Sequence, residues 1–439
     1  MSQHKASSLL TRRDWLKRSA AAAAALMAPA IIPSSARGKD GAVAPSERIT
    51  LGAIGIGPRG LLVLKTMLSE ADARFVANCD VQRGRRESVK AVIDEAYGNR
   101  DCVSYRDLRE VIARPDIDAV LIATGDRWHA MGSTLALKAG KHVYSEKPCG
   151  LTIAQCQALD ETVRRYGRVF QAGTQRRSIG NFQLAVRLAH SGKLGKLHTL
   201  HASIYRPRVL YDWLPAEAEP PKDECDWDLW LGPAPWRPYN ARYVKGGWRG
   251  YDDFDSGATL LDWGAHTLDL CQWANRADET TPVEFEPTPT AINARYANGV
   301  KLVLDFLDQP FGDRSPQYRT ELGTCPVRFE GDEGWVETGD VGDIAVHPKS
   351  LESELRQFRK AAGTHPAGHT RNFLDCVKSS ALPAAHSGVM RRSHIACHAA
   401  AIAWLLGRKV AFDPATETFV GDDEANRMRS RAMRPPWRL

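Results

Sequence analysis

Ile49-Thr-Leu-Gly-Ala-Ile-Gly55-Ile-Gly57-Pro-Arg-Gly60 is the stretch that decides the fold. A short apolar run reads as a strand over 49–54, and helical spacing follows over 60–68. Between them lie three glycines in the pattern G-x-G-x-x-G. In a strand–loop–helix context each has a mechanical reason. Gly55 permits a tight turn, Gly57 lets the backbone approach a pyrophosphate, and Gly60 lets helix and strand pack closely. The amides at the helix start, Arg59 among them, then face the phosphate charge. Asp80 closes the next strand at about the ~20-residue spacing expected of a ribose-binding acid. That favours NAD over NADP. Asp80 could instead cap a helix over 85–97, and Arg83, Arg85 and Arg86 leave a 2′-phosphate open.

Working outward, the alternation continues. Strands are expected over 74–79, 118–124, 142–145 and 169–173. Helices are expected over 85–97, 105–113, 128–139 and 153–166. Strands alternating with helices imply an α/β fold with a doubly wound parallel sheet, placed at residues 48–172. The remainder, 173–439, reads as an α+β domain with a mainly antiparallel sheet. A helix is expected over 178–190, a strand over 197–205 and a helix over 259–274. Asn298-Gly299 between 291–296 and 301–306 signals a hairpin, and Gly331-Asp-Glu-Gly334 between 327–329 and 335–337 signals another. Helices close the chain at 351–359, 371–379 and 387–406.

The N-terminus has another character. Thr11-Arg-Arg-Asp-Trp-Leu-Lys17 precedes an Ala-rich apolar run to Pro33 and the small-residue end Ser34-Ser35-Ala36. This resembles a twin-arginine export signal over 1–36, followed by a linker over 37–47. It implies the twin-arginine translocase as a partner during export and a periplasmic or otherwise exported location. That route carries folded proteins, commonly ones that have already acquired a cofactor. Residues 1–36 hold five basic side chains and one acid, so the net charge of +7 falls to +3 without them. The modest excess lacks a basic run and argues against nucleic acid as a partner. No later segment reads as a membrane span. Nine scattered cysteines without a Cys-x-x-Cys give no support for a structural metal site.

Further motifs follow at the ends of later strands. Ala123-Thr-Gly-Asp-Arg-Trp-His-Ala130 ends one strand, and Gly140-Lys-His-Val-Tyr-Ser-Glu-Lys-Pro148 comes one helix later. Asp255-Ser-Gly-Ala-Thr-Leu-Leu-Asp262-Trp-Gly-Ala-His266-Thr-Leu-Asp269 lies in the second domain. As an ordered set these resemble the Gfo/Idh/MocA oxidoreductase family, from about Ile49 to the C-terminus. The resemblance implies Lys147, Asp262 and His266 as the catalytic group. It implies Thr124, Asp126, Trp128, His129, Glu146 and Lys147 as further cofactor contacts, with Glu146 on the nicotinamide ribose and Pro148 in a cis peptide. Asp262 and His266 are four apart on a helix, so the acid is expected to orient the imidazole. Oxidising a carbinol needs a base for the hydroxyl proton while hydride leaves the same carbon. Lys147 and His266 are both candidates for that base. The family's glycine cluster before the Asp is reduced here to Asp255-Ser256-Gly257.

Residues 205–273 hold seven of the twelve Trp and five of the eleven Tyr. Aromatic faces suit the C–H faces of sugars, though such an insertion can also pack on itself or on another copy of the chain. Gln175, Arg177, Trp248, Arg249 and Asp255 are the candidate substrate residues. The expected activity is NAD(P)-dependent oxidation of a sugar, glycoside or cyclitol with a tightly bound, recycling cofactor, in a homo-oligomer. Redox-neutral glycoside cleavage on the same fold and non-catalytic sugar binding are the alternatives.

Overall fold

Alternating apolar runs and amphipathic helices build a six-stranded parallel sheet in this computed structural model, which describes residues 43–307, 322–355 and 365–439. Its elements are β1 (Ile49–Ile54), α1 (Pro58–Leu68), β2 (Ala73–Cys79), α2 (Arg83–Tyr97), β3 (Val103–Tyr105), α3 (Leu108–Ala113), β4 (Ala119–Ile122), α4 (Asp126–Lys138), β5 (His142–Ser145), α5 (Ile153–Tyr166) and β6 (Phe170–Ala172). The order is β3-β2-β1-β4-β5-β6, every neighbouring pair parallel. β4 is buried at every residue because helices cover both faces, which is why it reads as unbroken Ala-Val-Leu-Ile. The chain reverses its winding direction between β1 and β4. Open α/β sheets bind ligands in the crevice at that point, and Gly55 and Thr124 sit there.

The helix expected over 105–113 is corrected: Val103–Tyr105 is an edge strand, and α3 begins at Leu108 behind the Asp107 cap. Three residues with two exposed carry no alternation to find.

The second sheet is mixed and has nine strands, in the order β13-β12-β11-β7-β10-β9-β8-β14-β15. These are β7 (Leu197–Tyr205), β8 (Glu284–Pro287), β9 (Ala291–Arg295), β10 (Lys301–Leu307), β11 (Val327–Gly331), β12 (Gly334–Thr338), β13 (Ile344–His347), β14 (Val410–Asp413) and β15 (Thr418–Phe419). Among the described strands of this sheet, only β7 and β10 pair in parallel. Both expected hairpins form, β9–β10 with Gly299 at φ 89° and β11–β12. The short strands β8, β13, β14 and β15 escaped the sequence reading. The helix expected over 351–359 is, within the described residues, a 3₁₀ turn Lys349–Leu355.

The α-helices of the second domain, among the described residues, are α6 (Gly180–His190), α7 (Trp227–Leu231), α8 (Leu261–Ala274), α9 (Ala367–Ser379), α10 (Ser387–Leu406) and α11 (Asp423–Arg427). α10 packs against α5, α8 and β8. Wrapped on so many sides, it is apolar nearly all round, the mark of a central helix. α8 lies on β7 beside it, so Asp262 and His266 are carried by an element fixed to the core. Residues 43–48 hold only a 3₁₀ turn, Pro45–Glu47. The Arg12-Arg13 segment lies outside the described residues.

Candidate active site

The glycine loop closes against the neighbouring strand. Gly55 has φ 68°, and a Cβ there would lie 2.2 Å from the Thr124 side chain. A Cβ on Gly60 would lie 2.6 Å from that of Ala123, so helix α1 approaches β4 only because residue 60 has no side chain. Gly57 caps α1 with no side chain in the way of the helix's first amides. The cleft above is lined by Gly55, Gly57, Arg59, Asp80, Arg85 and Thr124, and from the second domain by Leu229, Trp230, Trp248 and Arg249. These groups fit a dinucleotide: glycines for the pyrophosphate, free helix-start amides, and a carboxyl at the end of β2 for a ribose.

Asp80 does not cap α2. Gln82 is the N-cap residue, and Asp80 Oδ1 accepts from the Gln82 amide at 2.9 Å. Burial lifts the Asp80 carboxyl to about 6, against the pull of that amide and of Arg85, Arg86 and Arg127. Two of the arginines near it are engaged elsewhere. Arg83 pairs with Asp223, and Arg86 donates to the carbonyls of Asp80 at 2.8 Å and Asp223 at 3.0 Å.

At the end of β5, Lys147 enters a cis bond with Pro148, as the resemblance implied. Lys147 Nζ donates to Asp262 Oδ1 at 3.0 Å and to the Asp262 carbonyl. The two motifs, 115 residues apart, therefore meet. The expected Asp262–His266 pairing is corrected: the carboxylate turns to Lys147 and to Arg249, 3.3 Å away, and His266 Nδ1 has no hydrogen-bond partner among the described residues. A carboxylate four residues from an imidazole still chooses the nearer cation. Burial pushes the Asp262 carboxyl up, but Lys147 and Arg249 outweigh it and hold it below the ordinary range. Burial, then Lys147 and Arg176, hold His266 well below the ordinary histidine value, so it is neutral.

Asp126 and Asp255 both approach Arg249, whose Nη1 is 3.9 Å from Asp126 Oδ2 and 3.9 Å from Asp255 Oδ1. Both acids are buried, at 2% and 1% exposure. Burial raises both carboxyls, Asp255 to about 7 with Asp126 as the next cause. Asp255 accepts from the Ser256 amide at 2.8 Å and from the Gly250 amide. Behind it, Gly257, Ala258 and Thr259 have φ of 57°, 54° and 67°. Left-handed backbone at a β-branched residue costs ~1–3 kcal/mol and gathers at functional sites. It stands where the family carries its glycine cluster.

Other candidates hold the site rather than face it. Glu146 accepts from Arg59 Nε at 3.2 Å and fits only because residue 173 is glycine, whose Cβ would meet its carboxylate at 2.8 Å. His129 sets its ring nitrogens 2.6 Å from Pro148 O and 3.0 Å from Thr124 O, and because burial lowers it to about 4 the neutral ring donates to one of these carbonyls. Trp128 donates to Leu229 O at 2.9 Å and packs edge-on against Trp437. Arg177 is corrected as a substrate residue. It is 4% exposed and donates to Asp269 at 2.6 and 3.0 Å and to Asp278 at 2.6 and 3.1 Å. Gln175 is buried too and does not line the cleft. Its neighbour Arg176 is 1% exposed, donates to Cys325 O at 2.8 Å and to Asp340 at 2.8 Å, and lies 5.2 Å from the Trp263 ring. Three consecutive polar residues offer no basis for choosing among them by pattern, and Asp340 belongs to no motif.

The aromatic stretch divides. Trp227, Trp230, Tyr243, Tyr251 and Phe254 form a small core of their own, with Trp227 and Trp230 stacked at 4.7 Å. Trp248 lines the cleft, and Trp263 stands 5.7 Å from Lys147 Nζ and 5.8 Å from His266. Trp213 and Trp236 are exposed.

Comparison with known proteins agrees with this architecture. Residues 49–174 match the family domain described as "Oxidoreductase family, NAD-binding Rossmann fold", and 212–309 with 327–439 match its "C-terminal alpha/beta domain". The myo-inositol 2-dehydrogenase of Thermotoga maritima is 29% identical over 157 residues, 36% of this chain and 45% of that one. A glycosyl hydrolase family 109 protein of a Shewanella species is 31% identical over 174 residues, 35% of this chain and 37% of that one. The chain thus spans less than half the length of the curated relatives it matches. A levoglucosan dehydrogenase solved with NADH and levoglucosan shares the fold, with a TM-score of 0.59 over 83% of this chain and 99% of that one at 17% identity. With both of its domains matched and the motif residues of the two converging on one cleft, the chain belongs to the Gfo/Idh/MocA family of oxidoreductases.

Proposed function

We propose that the protein oxidises a carbinol of a sugar, glycoside or cyclitol, using an NAD that it holds tightly and recycles in place after export. The observation that carries this reading is the contact of Lys147 with ionised Asp262, near neutral His266 and beside Arg249, which lines the dinucleotide cleft. NAD bound there supplies the hydride acceptor. The chain's own residues then manage the proton and the hydroxyl. Asp262 keeps Lys147 Nζ in place, and the unclaimed Nδ1 of His266 can accept a proton. Trp263 and Trp248 offer faces for a ring.

Tight retention is supported by a strap from the second domain. The Arg83 amide donates to Glu224 O at 2.9 Å and the Asp226 amide to Val81 O at 3.1 Å, beside Asp80. Arg127 Nε donates to Trp230 O at 2.6 Å, and its guanidinium stacks 3.5 Å over the Trp230 ring. The strap thus fastens over the β2 end of the cleft. Export of the folded chain by the twin-arginine route is supported by the thiols. All nine cysteines are free and buried, so a chain that folds before it meets an oxidising compartment hides every one.

Native mass spectrometry of the mature protein from the exported fraction tests both points. One dinucleotide per chain is expected; an empty chain sinks tight retention. The same spectra test the proposed homo-oligomer. A second reading, oxidation followed by elimination and re-reduction to cleave a glycoside, is favoured by the family 109 relative. Incubation with a glycoside and no added NAD separates the two. Release of aglycone supports cleavage, and a keto-sugar supports net oxidation.

A further inference from the structure

Arg127 stands in the first turn of α4, two residues after Gly125, and lines the dinucleotide cleft. It is 4% exposed. The strap fixes its side chain: Nε donates to Trp230 O at 2.6 Å, and the guanidinium lies 3.5 Å over the Trp230 ring. It also fills the space that a side chain at residue 125 would need, since a Cβ on Gly125 would run into Nη1. Yet Nη1 is buried with no hydrogen-bond partner among the described residues. A strut uses its donors, as Arg177 does on Asp269 and Asp278. A buried donor left over costs stability unless a ligand takes it. The charge indicates the kind of ligand. Burial lowers the guanidinium to about 9, against the pull of Asp126 first and then of Asp80 and Cys225. Enclosure thus outweighs the acids around this cation, and an incoming anion is favoured there. The place indicates which anion. Asp80 follows β2, and Cys225 bridges to Gln82 just beyond it, so Arg127 belongs to the end of the cleft where the ribose acid lies. The glycine loop beside that acid fits a pyrophosphate.

We infer that Arg127 is a cofactor-binding residue, which donates from Nη1 to the adenosine diphosphate half of the dinucleotide and ties it to the strap at Trp230. The inference rests on the proposed tight retention and gives it a residue. One guanidinium then holds ligand and strap together. Bound cofactor fixes the guanidinium, and the guanidinium fixes Trp230. Trp230 packs with Trp227, Tyr243 and Phe254 in the small aromatic core, so the tie reaches the whole strap. Cofactor release requires both contacts of Arg127 to break, which makes it slower than the loss of either alone.

The test is calorimetric titration of the cofactor-free full chain with ADP and, separately, with nicotinamide mononucleotide. Arg127→Met should weaken ADP about 10- to 100-fold, the size of a hydrogen bond to a charged partner, and leave nicotinamide mononucleotide unchanged. Arg127→Lys keeps the charge without the fork and should recover part of the loss. A purely structural arginine gives another pattern: both ligands weaken alike, or the melting temperature falls while ADP affinity holds. Either result overturns the inference. The wild type supplies a readout that does not depend on a variant folding. Amide hydrogen exchange over 226–231 should slow more with ADP than with nicotinamide mononucleotide, and equal exchange overturns the inference. The two readings fail separately. A chain that binds ADP through Arg127 yet oxidises no carbinol refutes the proposed function alone. An Arg127→Met variant that binds ADP as the wild type does, and still oxidises a carbinol, refutes this inference alone.

Discussion

Arg177 and Arg249 both meet carboxylates of α8, Asp269 for the first and Asp262 for the second, and they meet them differently. Arg177 is enclosed, and its three nitrogens donate to Asp269 and Asp278 at 2.6–3.1 Å. Its second acid, Asp278, reaches water, where an extra charge costs little. Arg249 is half-open, stands 3.3–3.9 Å from three acids, and leaves buried polar atoms without partners. One cluster spends its hydrogen-bonding capacity on the fold; the other keeps it for a ligand. Residue type and even the supporting helix are shared, so saturation of the hydrogen bonds is what separates a strut from a site.

That contrast can be broken at Arg177 first. Removing one partner of a buried, hydrogen-bonded ion pair costs about 3–5 kcal/mol, because the acid left behind stays buried. Arg177→Ala should therefore lower the melting temperature steeply or abolish soluble expression. A variant that melts like wild type would show that the pair is not structural.

Lys147→Met should do the reverse. Loss of a positioned proton-transfer group costs about 10²–10⁴ in rate. Turnover should fall by about that factor while the melting temperature holds and dinucleotide remains bound. Unchanged turnover would remove Lys147 from the chemistry.

The pH dependence is a smaller effect. Asp255, at about 7, lies above the ordinary carboxyl value because of burial and Asp126. A raised acid contributes stability that is complete below its unfolded value near 4 and lost as pH rises through 7. Asp255→Asn should flatten that part of the stability curve. Parallel stability profiles for wild type and variant would disconnect Asp255 from that pH dependence.

Much of this architecture is legible in the sequence. The Gly55–Gly60 loop declared itself because a turn, a phosphate and a close helix each forbid a side chain, and local rules of that kind survive into the fold. The ladder of β1, β4 and β5 was readable because strands buried on both faces are continuously apolar. Lys147, Asp262 and His266 came through as motifs. What stayed hidden was what depends on distant partners. Spacing along α8 suggested an Asp262–His266 pair, but the tertiary contact with Lys147 decides where the carboxylate points. Arg176 and Arg177 are adjacent, and only the turn Gln175–Ser178 sends one to Asp340 and the other to Asp269. The aromatic stretch looked like a sugar platform, yet most of its rings bury one another to build the strap.

The strap supplies the mildest test, since it contains a third kind of arginine–carboxylate contact. Asp223 pairs with Arg83 in the open, with side chains 68% and 43% exposed, and Arg86 donates to its carbonyl at 3.0 Å. An exposed pair is worth about 0–1 kcal/mol, because water competes for both partners and salt screens them. Asp223→Ala removes the carboxylate but keeps the backbone bonds at Glu224, Asp226 and Trp230. Bound NAD should then leave no more than about fivefold faster, measured by chase with excess unlabelled cofactor, and the difference should vanish at high salt. A far larger loss would mean that the surface pair, and not the backbone stitching with Arg127 beneath it, holds the strap down. Saturated backbone bonds would then matter less for retention than the contrast between Arg177 and Arg249 implies.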